Sequence, residues 1–423
     1  MATPQIPVSQ FVVCGECDAL QKLQSLARGQ LLACYQCGAR LGASGSEHLH
    51  RVLPLTIAAG ICFVLANSYP MVAIEVAGNR ASTSLIGAIV ELYRQGVPGV
   101  ALLVLLTGVM APAAQIVLLA YAFWLRAAPR RLPGLSPSVR LLHHIRPWSM
   151  AEVFMLGALV SLVKLAGVAR VIPGIGMWAL FAVIFLTAAA EAAFDVKGYW
   201  KQSRGDRMSG TERARCVSAS ALGVIGCPVC GQLNRRAWSE GACWYCEAPL
   251  QHRKRESLSR SWAYLLSAFI MYIPANLYPV LQSRTVAGDE SHTIMGGVVT
   301  LWRGGSWPLA LVVFFASIVV PLLKLLAMTL LLVSVHARWS WRLRERAHLY
   351  RLVEFVGRWS MLDIFVVAIL VALVRLRSLA TMDAGPGALA FGAVVVLSML
   401  AAQSFDVRLL WDSAGRNEHT RPA

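Results

Sequence analysis

Eight of the chain's ten cysteines fall into two quartets whose spacing suits a metal ion. The first reads Cys14-Gly-Glu-Cys17, then sixteen residues, then Cys34-Tyr-Gln-Cys37. The second reads Cys227-Pro-Val-Cys230, then twelve residues, then Cys243-Trp-Tyr-Cys246. Two Cys-x-x-Cys knuckles at such a distance can converge four thiolates on a tetrahedron. That is the donor set of a closed, structural zinc site with no place for a reactive water. Gly38 and Gly231 follow the second cysteine of their pairs, where a knuckle turns back tightly. Two rivals use the same residues. Iron also accepts four thiolates, and thiol–disulfide exchange also uses Cys-x-x-Cys. An exchange protein normally carries one such pair inside a thioredoxin-like βαβ pattern, and none is visible here. The spacing therefore predicts two structural zinc ions, one per quartet. Cys62 and Cys216 stand outside both sets.

The second chemistry is ionic. Lys324 sits inside the apolar run "FFASIVVPLLKLLAMTLLL". A charge at membrane depth is costly and usually faces a partner or a wet cavity. Counted from Pro308 at about 1.5 Å per residue, Lys324 lies roughly 24 Å along the run. Asp363 stands a few residues into the next run, which starts from the same side, so a Lys324–Asp363 pair is expected, with Ser317 and Ser398 extending a polar network. Glu152 holds the place of Asp363 in the first half of the chain, and Lys164 that of Arg375. Gln115 stands where Lys324 would be, which points to a silent first half. The competing reading makes Glu152 and Asp363 acids at helix N-termini, where the helix dipole favours them.

These residues need elements to hold them. Of 423 residues 57% are hydrophobic and 14% charged, too apolar for an ordinary soluble domain, so a polytopic membrane protein is expected. The net charge of +17 does not mark a nucleic-acid binder: no such motif accompanies it, and the basic residues gather between apolar runs. Eight runs approach the ~20 residues needed to cross a bilayer: residues 52–72, 97–125, 150–171, 174–195, 262–282, 307–334, 361–380 and 387–410. Arginines crowd 126–146, 196–261 and 336–358 but not 73–96 or 283–306. The asymmetry places both termini and the quartets in the cytoplasm. The first residues lack a basic n-region followed by an apolar stretch, so no cleaved signal peptide is expected. No G-x-x-x-x-G-K-[ST] sequence occurs, so ATP hydrolysis is not expected, and the chain reads as a non-enzyme.

The chain also repeats itself. "LANSYPMV" at 65–72 returns as "PANLYPVL" at 274–281, with Asn67 and Asn276, and Pro70 and Pro279, each 209 residues apart. "RPWSMAEVF" at 146–154 returns as "GRWSMLDIF" at 357–365, and "EAAFDV" at 191–196 as "AQSFDV" at 402–407. The pattern predicts an all-α polytopic membrane protein, a tandem duplication of four transmembrane helices. Its domains are a zinc ribbon at 8–45, a transmembrane half at 50–200, a second ribbon at 222–250 and a second half at 258–412. A parallel repeat places the halves about a pseudo-two-fold axis, with any shared cavity at their junction. Asn67, Pro70, Asn276 and Pro279 read either as plain helix ends or as a hinge or portal. Residues 82–96 and 291–305 read as matched amphipathic helices, lying on the membrane, receiving a partner or packing on the bundle.

The two quartets, "NSYP" and "NLYP", the "WSM" motifs at 148–150 and 359–361 and the two "FDV" triplets together resemble the paraquat-inducible protein A family, whose members include LetA-like lipid-transport proteins. The resemblance covers nearly the whole chain. It implies a protein of a Gram-negative inner membrane, working with a partner whose mammalian-cell-entry (MCE) domains form a periplasmic tunnel. It implies lipid movement between the inner and outer membranes, by loading or extracting lipid at that tunnel. By the same resemblance Lys324, Asp363, Ser317 and Ser398 form a candidate proton-coupling network. Two alternatives stay open. A membrane redox protein using the cysteines predicts colour, iron or reversible disulfides. A passive anchor for the MCE partner predicts that Lys324 and Asp363 can be neutralised without loss.

Overall fold

The computed structural model describes residues 11–22, 31–43, 51–76, 79–127, 135–166, 170–193, 218–235, 241–244, 246–285, 288–305, 307–373, 375–376 and 380–414. Strands β1 (Phe11–Val13) and β2 (Leu20–Lys22) flank the first knuckle, and β3 (Leu31–Ala33) and β4 (Arg40–Ala43) the second. Each pair is antiparallel. The residue after each second cysteine is left-handed: Asp18 at φ 62°, Gly38 at 75°, Gly231 at 70° and Glu247 at 56°. Glycine takes this conformation freely, whereas Asp18 and Glu247 hold it at a cost of about 1–2 kcal/mol. All four knuckles close with the same turn, shown by the bonds Asp18 N to Cys14 O and Glu247 N to Cys243 O.

The first half then runs α1 (Val52–Ser68), β5 (Val72–Val76), β6 (Asn79–Thr83), α2 (Leu85–Arg94), α3 (Pro98–Val104), a π-helical turn (Leu105–Met110), α4 (Ala111–Ala127), α5 (Leu135–Ile145), α6 (Ala151–Ala166), β7 (Arg170–Pro173) and α7 (Ile175–Ala193). After the second ribbon's β8 (Val224–Gly226) and β9 (Leu233–Arg235), the order recurs. It runs α8 (Ser257–Leu277), β10 (Leu281–Thr285), β11 (Gly288–His292), α9 (Ile294–Arg303), α10 (Trp307–Phe314), a π turn (Phe315–Val319), α11 (Val320–His336), α12 (Leu343–Trp359), α13 (Leu362–Leu373), β12 (Arg375–Leu376), β13 (Ala380–Ala384), α14 (Pro386–Ser404) and α15 (Leu409–Ser413). Both π turns lie just before a proline, Pro112 or Pro321. Proline lacks the N–H that would reach back to residue i−4, so the ladder widens where that carbonyl is released. Short polar caps open α2 and α9, with Ser84 Oγ accepting from Gly87 N and Thr293 Oγ1 from Gly296 N, both at 3.1 Å.

Two expectations need correction. The halves are not all-helical: β6-β5-β7 and β11-β10-β13-β12 form small antiparallel sheets at the end opposite the ribbons. Residues read as span ends, such as Val72, belong to β-branched stretches beyond a proline and pair as strands. Nor do all eight runs make long helices. Among the described residues five segments are long and apolar enough to cross a membrane: Pro98–Trp124, Pro137–Leu162, Ile175–Ala193, Ala310–His336 and Pro386–Ser404, with Val52–Ser68 shorter. The twelve residues of α13 reach only about 18 Å. The first "FDV" triplet, at 194–196, and Cys216 lie outside the described residues.

The halves meet through α6 and α13. Phe154 and Phe365, 211 residues apart, contact edge to face at 5.2 Å between centroids, both almost wholly buried. Gly157 lets the helices close, since a Cβ there would stand 2.9 Å from Phe365 Cβ. Among the described residues the junction is packed core. Hydroxyls join α8 to α14, with Ser257 Oγ donating to Ser404 O (2.9 Å) and Ser261 Oγ to Ala401 O (3.1 Å), an arrangement suited to helices surrounded by lipid. The matched amphipathic helices differ in setting. The apolar face of α2 (Leu85, Ile89, Leu92) is buried in the joint core, while α9 borders an apolar cavity of about 310 Å³ with Val298, Trp302, Ala310 and Phe314 in its wall.

Candidate metal centres and polar cluster

Each quartet is assembled by two hairpin turns that aim four thiols at one point. Sγ–Sγ distances are 3.5 Å for Cys14–Cys37 and Cys17–Cys34, 3.5 Å for Cys227–Cys246 and 3.6 Å for Cys230–Cys243. All four sulfurs of a set lie within 4.8 Å of one another, and every cysteine is buried. A tetrahedron with metal–sulfur bonds of about 2.3 Å has edges near ~3.8 Å, whereas a disulfide requires about 2.05 Å. The donors fit a four-coordinate ion and do not form disulfides. Hydrogen bonds from sister thiols hold Cys34 and Cys243 low, and push Cys17 and Cys230 up with burial adding to the effect. Asn234 supports the second centre, donating through Nδ2 toward Cys243 Sγ at 3.5 Å and accepting from Trp244 N at 3.0 Å.

Among the described residues each ribbon rests on the half that it does not directly precede in sequence. Ribbon 1 rests on the second half, its cysteines sharing an apolar cluster with Leu343, Ala347, Tyr350 and Trp411. Arg351 Nη2 donates to Cys37 O at 2.9 Å and its Nη1 lies 3.6 Å from Glu16. Arg253 joins Asp18 (3.6 Å) to Asp412 (2.6 Å). Ribbon 2 rests on the first half, where Val139 of α5 packs on its four cysteines. There Arg140 Nη1 donates to Glu247 O at 3.2 Å. The ribbons also touch each other through Leu20, Val224 and Leu233 and the bridge Ala19–Ser218.

Lys324 is 3% exposed and Ser398 is 4%, so bulk solvent does not reach the amine. Lys324 Nζ donates to Ser398 Oγ at 2.9 Å, whose own proton goes to Val395 O. Ser317 is buried in the neighbouring π turn. The expected Lys324–Asp363 ion pair does not form among the described residues; Asp363 lies half-buried in the first turn of α13. Glu152 is exposed in the first turn of α6. The backbone of Lys164 belongs to α6, and its side chain lies outside the described residues. Sequence reasoning missed Gly357, which makes room for the lysine: a Cβ there would be 3.1 Å from Lys324 Nζ. It also missed the first half's own cluster. Glu191 accepts from Gln115 Nε2 and from Arg146 Nη2, each at 2.5 Å. Arg146 stands 211 residues before Gly357. Each half thus carries a bonded cation near these matched segments, Lys324 buried on Ser398 in one and Arg146 more exposed on Glu191 in the other.

The repeated Asn-x-Tyr-Pro phrases close α1 and α8. Asn67 Nδ2 donates to Phe63 O (2.8 Å) and Asn276 Nδ2 to Tyr272 O (2.9 Å). Pro70 O accepts from Gly176 N at 3.1 Å, and Pro279 O from Gly387 N at 3.0 Å, so the phrases receive the N-termini of α7 and α14.

The second "FDV" triplet has a structural duty. Asp406 accepts from Lys254 N (3.0 Å) and from Arg408 Nε (2.9 Å) and Nη2 (2.8 Å). Burial raises its pKa, but the Arg408 bonds prevail and hold it below the usual carboxylate range. A depressed carboxylate stabilises the fold above its unfolded pKa and loses that contribution as pH falls through the folded value. Asp406→Asn should therefore cost about 1.5–3 kcal/mol at neutral pH. The difference from the parent should begin to shrink as pH falls below the ordinary value of 3.8 and vanish only below the depressed folded value. Thermal melts in detergent across pH would show this, and a gap independent of pH would contradict it.

A family model described as Paraquat-inducible protein A matches residues 49–204 and again residues 258–415. The chain belongs to the paraquat-inducible protein A family. Curated relatives align over nearly the whole length. The chain is similar to "Intermembrane transport protein PqiA" of Escherichia coli K12, 33% identical over 416 residues, covering 97% of this chain and 98% of the relative. It is 29% identical over 409 residues to "Lipophilic envelope-spanning tunnel protein A" of the same strain, covering 97% and 93%. It is 28% identical over 414 residues to "Probable intermembrane transport protein" of Haemophilus influenzae Rd, covering 96% of each. No solved structure matches it. The paraquat-inducible protein A match spans the two halves and leaves both quartets outside.

Proposed function

We propose that the chain is the inner-membrane component of a system that moves lipid between the inner and outer membranes. It would load or extract lipid at a periplasmic tunnel of MCE domains, driven by proton movement at Lys324. The relatives' names support intermembrane transport and an envelope-spanning lipophilic path. The observation that carries the proton-coupled reading is Lys324, buried in an apolar helix with a serine hydroxyl as its hydrogen-bond acceptor. A proton gained or lost at Nζ changes the charge by one unit where bulk solvent does not reach, and so changes which packing of α11, α12 and α14 is favoured. On this reading the two halves form a tandem duplication with eight crossings, and the ribbons and termini face the cytoplasm with the arginine-rich loops. Each quartet holds a structural zinc ion, zinc being suited to a closed four-thiolate cage.

The test replaces Lys324 with Met, which keeps length and removes charge, and Ser398 with Ala. Cells lacking the protein are scored for outer-membrane lipid defects, with membrane abundance and metal content measured for each variant. Lys324→Met should fail to complement while matching the parent in abundance and metal. Full complementation would leave the chain as a passive anchor.

A further inference from the structure

We infer that the ribbons are crossed clasps, each fixing the opposite half, and that Arg351 is a positioning residue through which ribbon 1 holds Gly357 against Lys324. Two independent contacts carry this. Arg140 and Arg351 stand 211 residues apart in the matching stretches "RLLHHIRPWSM" and "RLVEFVGRWSM". Each guanidinium reaches from one half to a backbone carbonyl at the end of a second knuckle, Glu247 O for Arg140 and Cys37 O for Arg351. In both cases the knuckle belongs to the ribbon that precedes the other half. Apolar contacts run the same way, Val139 on ribbon 2 and Leu343, Ala347 and Tyr350 on ribbon 1.

On α12 the contact is also aimed. Six residues, about 9 Å of helix, separate Arg351 from Gly357, and Gly357 lies against the Lys324 ammonium. A metal-closed knuckle holds the Cys37 carbonyl still, Arg351 fixes α12 to it, and α12 keeps the space that Lys324 occupies. The first half has the same clasp without the lysine, since Arg146 replaces Gly357 there. The consequence for transport rests on the role proposed for Lys324. The test reads exchange and labelling instead, so either reading can fail alone.

Full-length protein in nanodiscs is compared by hydrogen–deuterium exchange for the parent, Cys34→Ser, Cys243→Ser, Arg351→Met and Arg140→Met. Cys34→Ser should speed exchange over residues 343–359 and leave 135–145 unchanged, and Cys243→Ser should do the reverse. Arg351→Met should retain both metals, exchange about tenfold faster over 343–359, and raise acetylation of Lys324 by acetic anhydride several-fold while Lys254 labels as in the parent. The arginine variants decide the matter if a cysteine variant does not accumulate. Loosening confined to the half next in sequence to the altered ribbon would overturn the crossed clasp. Unchanged Lys324 labelling in Arg351→Met would overturn the positioning role.

Discussion

Gly385→Ala will not accumulate as a folded protein. An added Cβ would stand 2.2 Å from the carbonyl oxygen of Pro279 and 3.0 Å from its carbonyl carbon. These are backbone atoms that no rotamer change can move aside. The backbone cannot retreat either, because Gly385 N donates to Val280 O at 2.9 Å and Gly387 N to Pro279 O at 3.0 Å. Those bonds satisfy the first N–H groups of α14, which has no side-chain cap. Pushing the helix away would break both contacts, at a cost of about 4 kcal/mol or more. Gly174→Ala should behave alike, with its Cβ 2.1 Å from Pro70 O. The control is Gly297→Ala, where nothing lies within 4 Å of the new methyl, so helix propensity alone should stabilise it by up to ~1 kcal/mol. Size-exclusion profiles and melting temperatures in detergent separate the cases. Parent-like melting of Gly385→Ala would show that the Asn-x-Tyr-Pro phrase and the helix start are not in contact.

Removing metal should be equally severe for the ribbons. Strands of three or four residues are marginal alone, and the apolar contact between the two ribbons is small: Phe11, Val13 and Leu20 on one, Leu222, Val224 and Leu233 on the other. The four-thiolate centres supply what these small folds lack, on the order of 10–16 kcal/mol in isolated zinc modules at neutral pH. Purified protein should carry about two metal ions per chain, one for each quartet. A strong chelator should release them, faster as pH falls and protons compete for the thiolates, and proteases should then cut between residues 11 and 43 and between 218 and 250. Elemental analysis and mass spectrometry of the fragments give the readout. Ribbons that stay protease-resistant without metal, or cysteines found as disulfides, would contradict a structural centre.

The quartets were legible because a knuckle is local: spacing and turn chemistry alone bring Cys14 to Cys37. The matched helices at 85–94 and 294–303 were legible for the same reason, with a hydroxyl before each start and Gly96 or Gly305 after each end. Family membership was legible from the motif ensemble. The bonding of Lys324 was legible in part: Ser398 belongs to the expected network, whereas Asp363 does not pair with the lysine among the described residues. Counting residues gives depth along a helix but not the direction a side chain faces, and the π turn at 315–319 lies inside the counted stretch. The lysine turns toward Ser398 instead of Asp363. The sheets were hidden because β5 (Val72–Val76) continues an apolar run with little change in hydrophobicity, while β10 (Leu281–Thr285) is polar and reads as a loop. The seating of the ribbons was hidden too, since local spacing says nothing about which half a module rests on. Only the shared register of Arg140 and Arg351 hinted at it.

That exchange sets an order of events during synthesis. Glu247 follows its partner Arg140 by 107 residues, so α5 is already made when ribbon 2 emerges and can receive it at once. Cys37 precedes Arg351 by 314 residues. At about 5–20 residues per second, ribbon 1 waits roughly 15–60 s after it is made before its landing helix exists. Until ribbon 2 is made, metal is the main support for the fold of ribbon 1; from then on the bridge Ala19–Ser218 adds to it. The first half can therefore close well before the second.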